Sequence, residues 1–219
     1  QCFVEYFRKL ADKRKASNHD NWVSALNYLV NFTNGKLKFA DLNESKIEDF
    51  KEYLLNAKSI KSDKTNLSQN SAVSYFNKVK AALKQAYKEG KLQIDLNARI
   101  TPIKTAETRR EYLTIEELNK LAKTPCNNDL LKRAALFSAL TGLRFSDIQK
   151  LVWSEVEFIE GEGYFLNFSQ KKTKGVEYYP ISEQAFSLMG ERKELTDKVF
   201  EGLEYSAYHN KHLFQWIGA

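Results

Sequence analysis

Few side chains in this sequence are suited to chemistry. His19, His209 and His212 are the whole supply of imidazole in 219 residues, and no Gly-rich phosphate loop, HExxH helix or GxSxG elbow occurs. Common nucleotide-binding and hydrolase chemistries are therefore disfavoured. His209 and His212 share a spacing that suits a metal on a helix, but nothing nearby supplies a third ligand, so they read as surface histidines. What remains is fixed cations. Arg144 follows Gly142-Leu143 at the end of an apolar run, with Asp147 after it, and a basic loop, Lys171-Lys172-Thr173-Lys174, lies further along between two β-favouring runs. A guanidinium grips two oxygens of an anion in its planar fork, and an ammonium yields a proton more readily when partly desolvated. The plain alternative is an Arg144 paired with a carboxylate at a helix start and a solvated lysine turn.

The elements that would position these groups follow from periodicity. Phe3, Phe7 and Leu10, then Trp22, Ala25, Leu26 and Leu29 after the possible caps Asn18 and Asp20, predict two helices. Asn43 before Ile47, Phe50 and Leu54 predicts a third. A fourth starts near Ser68, with Ala72, Phe76, Val79, Leu83 and Tyr87 as its apolar stripe and Gly90 as its end. Rotation by 100° per residue places Asn70, Asn77, Lys78, Lys84 and Lys88 on or near its outer side, a face that suits a DNA backbone or simply solvent. Residues 91–111 lose periodicity and contain Pro102 and Arg109-Arg110, which predicts a linker between a domain at 1–90 and another at 112–219.

The second domain opens at Thr114, whose spacing to Glu117 is that of a capping box. Leu130 to Leu140 reads as a core helix that Gly142 breaks, and Phe145 to Leu151 as a short one. Val156–Ile159, Tyr164–Phe168 and Val176–Tyr179 then predict a three-stranded antiparallel sheet, followed by helices over Ser182–Met189 and Ser206–Trp216. The fold class is mainly α with a small sheet, α+β.

Charge separates the two halves. Residues 1 to 110 carry 21 Lys+Arg against 12 Asp+Glu, whereas residues 111 to 219 carry 13 against 16. A basic helical half suits a nucleic acid, or is merely well solvated. Cys2 and Cys126 are isolated thiols with no CxxC, which argues against a disulfide framework or a zinc site and fits a reducing cytoplasm. No run approaches the ~18 apolar residues that span a bilayer, and no signal-peptide pattern precedes the first helix. A first residue of Gln suggests a chain trimmed at its start.

Leu140 to Ile148, LTGLRFSDI, resembles the motif that carries the first catalytic arginine of the tyrosine recombinases, the phage-integrase family. Gly142, Arg144 and Asp147 match the family's glycine, arginine and acidic positions. Pro180 resembles the proline closing its third strand, and counting back from it puts the family's hairpin lysine at Lys172, with Lys171 and Lys174 close by. The resemblance covers essentially the whole chain, the first domain being similar to the family's SAM-like core-binding domain and the second to the first part of its catalytic domain. It implies that Arg144 clamps the scissile phosphate, that Lys172 protonates the departing 5′-oxygen and that Asp147 orients Arg144. It also implies double-stranded DNA as partner, bound through Asn70, Asn77, Lys78, Lys84, Arg109 and Arg110, with no cofactor, no metal and no membrane. The parent enzyme would be cytoplasmic in a bacterium and nucleoid-associated on DNA, a monomer when free and a tetramer on DNA.

The family's His-x-x-Arg box, its further His or Trp and its tyrosine nucleophile have no match. His209-Asn210-Lys211-His212 lacks the arginine, and Tyr205 and Tyr208 precede the place of the box. The sequence thus reads as a recombinase fragment that binds DNA without cleaving it. A catalytically dead DNA-binding regulator and a helical protein-interaction module are the rival readings.

Overall fold

The computed structural model describes residues 1–107, 109, 111–169 and 176–218, with only the backbone described at Asp63, Phe168, Ser169, Val176 and Glu177. The chain divides into two compact units, Gln1–Arg110 and Glu111–Ala219.

In the first unit α1 (Phe3–Asp12), α2 (Ala16–Thr33), α3 (Glu44–Asn56) and α4 (Gln69–Lys88) pack around one apolar core, joined by a short hairpin, β1 (Lys58–Ser59) and β2 (Ser62–Asn66), and by α5 (Leu96–Arg99). Phe3, Phe7, Leu29, Phe50, Phe76 and Leu83 are fully buried. Phe7 lies 4.9 Å from Trp22 and Phe32 5.4 Å from Phe50, centroid to centroid, within the range of favourable aromatic pairs. Asn43 caps α3 by accepting the Lys46 amide, and Ser68 caps α4 by accepting that of Ser71. Each cap satisfies an amide that has no partner within its helix.

Three sequence expectations shift. Helix α2 begins at Ala16 after Lys15, so Asn18 and Asp20 lie inside it rather than capping it. Ala86, not Tyr87, closes the buried stripe of α4, and Tyr87 is exposed. Residues 91–103 do not run free between the units, because Leu92, Leu96, Ile100 and Ile103 are buried in the first core. The hairpin had no counterpart in the sequence reading, since its strands carry Lys, Ser, Thr and Asn without apolar alternation.

The second unit holds α6 (Ile115–Lys123), α7 (Asp129–Thr141), α8 (Phe145–Ile148), the antiparallel sheet β3 (Val156–Ile159), β4 (Gly163–Ser169) and β5 (Val176–Ile181), then α9 (Glu183–Ser187) and α10 (Ala207–Ile217). The strand order is β3-β4-β5, with Val156 opposite Leu166 and Phe165 opposite Pro180. β5 is thus an edge, where a residue without an amide hydrogen is tolerated. Leu166, Phe137, Trp153 and Phe200 form the heart of the core. The capping box at α6 is complete: Glu117 donates its amide to the Thr114 hydroxyl and its carboxylate accepts the Thr114 amide. Trp216 of α10 reaches back, its Nε1 donating to the Thr124 carbonyl at 3.1 Å. α8 and α9 are shorter than expected, each only about one turn.

Phe76 sits at the centre of α4 with no exposed surface. Phe76→Ala should cost about 3 to 5 kcal/mol in urea denaturation followed through the tryptophan signal of Trp22. An unchanged midpoint would show that the first core does not depend on this ring.

Candidate nucleic-acid interface and anion site

Helix α4 has two opposed faces. Its buried side carries Ala72, Phe76, Val79, Leu83 and Ala86, and on the opposite side Asn77, Lys84 and Lys88 are exposed. Lys84 and Lys88 lie one turn apart, a like-charge spacing that disfavours the helix by a few tenths of a kcal/mol, about 0.2 to 0.5. Folding gains nothing from that pair. An anion laid along the face would.

The other expected contact residues are placed less uniformly. Asn70 sits on the same line, but its side-chain oxygen accepts the Ala106 amide at 3.1 Å, and the neighbouring Gln69 donates to the Lys104 carbonyl at 2.7 Å. These two amides strap residues 104–106 to the start of α4. Lys78 lies to one side, its Nζ donating to Asn18 Oδ1 of α2 at 3.4 Å. Lys80 turns inward instead, donating to the Ile100 carbonyl, and burial pushes its ammonium below the usual lysine range. Arg109 is exposed, and Arg110 is outside the described residues.

In the second unit the turn from α7 to α8 presents Arg144. Gly142 closes α7 at φ 69°, the left-handed region that only glycine enters without strain, and donates its amide to the Ser138 carbonyl. The turn is then fastened from below. Ser138 Oγ donates to the Leu143 carbonyl at 2.8 Å, and Thr141 Oγ1 donates to the Phe137 carbonyl while accepting the Leu143 amide. Arg144 follows in extended conformation as the N-cap of α8, and its carbonyl accepts the amides of Asp147 and Ile148. Its guanidinium is half exposed and stands 4.0 Å from the carboxylate of Asp147, which is buried. The buried acid and the solvent-facing cation share one helical turn, so the acid limits where the guanidinium points.

The sequence reading missed a further residue. Tyr179 of β5 donates its hydroxyl to the Thr141 carbonyl at 2.7 Å. Strand β5, which follows Lys171–Lys174 in sequence, is thereby tied to the turn that carries Arg144. Lys172, with Lys171 and Lys174, lies outside the described residues. The flanking pair Ser169 and Val176 is in register. His209 and His212 stay on α10, where His209 Nδ1 meets the Glu204 carbonyl and the His212 ring packs edge-on against Tyr208. Among the described residues no cluster of His, Cys, Asp or Glu could hold a metal ion, and no helix is long and apolar enough to cross a membrane.

Residues 2–100 match the family described as the phage integrase SAM-like domain. Over 98% of its length the chain is similar to a crystal structure of a lambda integrase dimer bound to a COC′ core site, with TM-score 0.71, 17% identity and 75% of that chain covered. A lambda integrase bound to DNA is similar over 100% of this chain and 78% of its own, with TM-score 0.69 and 18% identity. The Tn1549 transposon integrase in complex with circular intermediate DNA is similar over 99% and 77%, with TM-score 0.66 and 14% identity. No curated protein matches the sequence. The chain has the integrase fold across both units, and residues 2–100 of its first unit match the phage integrase SAM-like domain.

Tyr179→Phe removes one hydrogen bond and leaves the Thr141 carbonyl short of a partner. The expected loss is about 1 kcal/mol of second-unit stability, with faster amide exchange at Gly142 and Leu143. Exchange at the wild-type rate would show that the turn is held without β5.

Proposed function

We propose that this chain is the DNA-binding part of a site-specific recombinase of a bacterial mobile element, one that breaks and rejoins DNA through a 3′-phosphotyrosyl link. The observation that carries the proposal is the built turn at Gly142–Arg144, which holds a cation at the surface beside a buried carboxylate and is tied to β5. DNA in the crystal structures of similar integrases supports the choice of partner.

In this reading Arg144 binds two non-bridging oxygens of the scissile phosphate and stabilises the charge that gathers on them as phosphorus becomes five-coordinate. Asp147 keeps the guanidinium aimed. The parent enzyme's tyrosine, already deprotonated to the phenolate, bonds to phosphorus as the bond to the 5′-oxygen breaks, and that oxygen takes a proton from Lys172. No metal or nucleotide enters this balance. Asn77, Lys84 and Lys88 on α4, with Lys78 beside them and Arg109 and Arg110 beyond, hold the duplex through its backbone. Asn70 joins them through its amide nitrogen, the one of its two polar atoms that can donate to a phosphate, while its oxygen accepts the Ala106 amide.

These 219 residues contain no His-x-x-Arg box, so we assign them binding without cleavage, and strand exchange to the parent enzyme assembled as a tetramer on DNA. The domains in this reading are a core-binding unit, a short connection around Arg109 and Arg110, and the beginning of a catalytic unit.

Binding to a fluorescent duplex should weaken as salt rises, with log affinity falling by about 0.9 per phosphate contact for each unit of log salt. Lys84→Ala should weaken binding on every sequence and reduce that slope by about 1. A flat salt response, or no binding at low salt, overturns the DNA reading. Arg144→Ala should leave duplex affinity within a few-fold yet abolish cleavage in the full-length recombinase. Unchanged cleavage would overturn the assignment of Arg144.

A further inference from the structure

The β1–β2 hairpin of the first unit is not explained by the core. Its tip is the pair Ile60-Lys61 between the partners Ser59 and Ser62, and none of its described side chains is buried. Lys58, Lys61 and Lys64 are all exposed, and Asp63 is the one acidic residue in the segment. A two-stranded ribbon without an apolar face is marginal in water, and closely spaced lysines repel one another. Something else must hold it in shape.

Tyr28 of α2 does so. Its hydroxyl donates to the Lys58 carbonyl at 3.1 Å and accepts the Ile60 amide at 3.0 Å, which grips the backbone of the turn from both sides. The phenol ring is buried and stacks on Tyr75 of α4 at 5.4 Å. At the foot of the ribbon the ladder is extended by the Leu67 amide, which donates to the Ala57 carbonyl. Beside it lies a cleft of about 390 Å³ lined by Ser24, Asn27, Lys61, Asn66 and Ser71. The fold therefore uses a core tyrosine to hold a basic, solvent-facing ribbon in shape, next to a cleft whose lining mixes Lys61 with hydroxyl, amide and apolar groups.

We infer that this hairpin is a second contact with duplex DNA, in which Lys58, Lys61 and Lys64 take phosphates of the sugar-phosphate backbone independently of the outer face of α4. The inference rests on the proposed DNA-binding function. The charge complementarity is direct, since the ribbon offers ammonium groups with a single opposing acid to a polyanion. A two-stranded ribbon also has the width that a major groove admits. Its contacts carry position rather than sequence, because lysines on a turn read phosphates and not base edges. The tyrosine anchor adds to this: lysines on a pre-shaped ribbon lose less conformational freedom on binding than lysines on a loose loop.

The test uses the 219-residue chain, a fluorescent duplex and a salt titration, comparing wild type with Lys58→Gln/Lys61→Gln/Lys64→Gln, with Tyr28→Phe and with Lys84→Ala. The triple variant should keep the wild-type circular dichroism and melting temperature, bind about tenfold or more weakly, and lower the salt slope by about 2 to 3. Tyr28→Phe keeps every charge, and should weaken binding by a smaller factor while hairpin amides exchange faster. If wild type binds, Lys84→Ala weakens it, and the triple variant matches wild type in affinity and slope, the hairpin inference is overturned and the DNA reading stands. If wild type does not bind duplex at low salt, the DNA reading itself fails and this inference falls with it.

Discussion

Gly142 ends α7 in a conformation that a side chain would strain, and the placement of Arg144 depends on that one backbone choice. A residue with a Cβ would meet no steric neighbour there, so the requirement is purely one of dihedral angle. Because the chain turns at that point, Leu143 drops into the core and Arg144 emerges at the surface as the cap of α8. Ser138 and Thr141 lock the turn with their hydroxyls from the last turn of the preceding helix, and Tyr179 reaches it from the sheet. An arginine on such a turn is aimed by at least three hydrogen bonds that it does not itself make. A cation so preorganised loses little further freedom on meeting an anion.

In the first unit the governing constraint is the opposition of two faces on α4. The buried stripe needs small and large apolar residues to admit α2 and α3, and it leaves the far side of the helix without packing duties. Lysines and amides at those positions cost the fold little, which is why a binding face can be placed there. The face is not all spare surface, however. Gln69 and Asn70 turn their amides to residues 104–106 and use part of the same stripe to fix where the chain leaves the unit.

Much of the fold was legible because the signals are local. The stripes of α1, α3 and α4, the caps at Asn43 and Ser68 and the capping box at Thr114 all depend on spacings within one or two turns. The sheet was legible from β-favouring runs separated by turn residues. What escaped depends on partners distant in sequence. Nothing around Lys58 to Asn66 alternates in polarity, so its pairing is set by Tyr28, about thirty residues earlier. Leu92, Leu96 and Ile100 resembled the start of a linker because Gly90 and Pro102 bracket them, yet together they had enough apolar surface to dock. Arg144 and Asp147 were readable from a short motif. The bond from Tyr179 to Thr141 was not, since no local pattern marks a tyrosine on an edge strand as the support of a helix end.

The two units meet the same physical demand in different ways. Directing an exposed cation has a cost, because a lysine or arginine loses rotamer freedom when it is fixed. On α4 the helix backbone alone sets the direction of the exposed side chains. At the hairpin a buried phenol sets it, by holding the turn rather than the lysines. At Arg144 it is set twice, by the capped turn beneath the backbone and by a buried carboxylate beside the guanidinium. The degree of restraint rises in that order, from a helix face held only through its backbone to a guanidinium that also has a buried carboxylate beside it. In the proposed reaction Arg144 cannot trade direction for reach, because the charge it would serve appears at a single place.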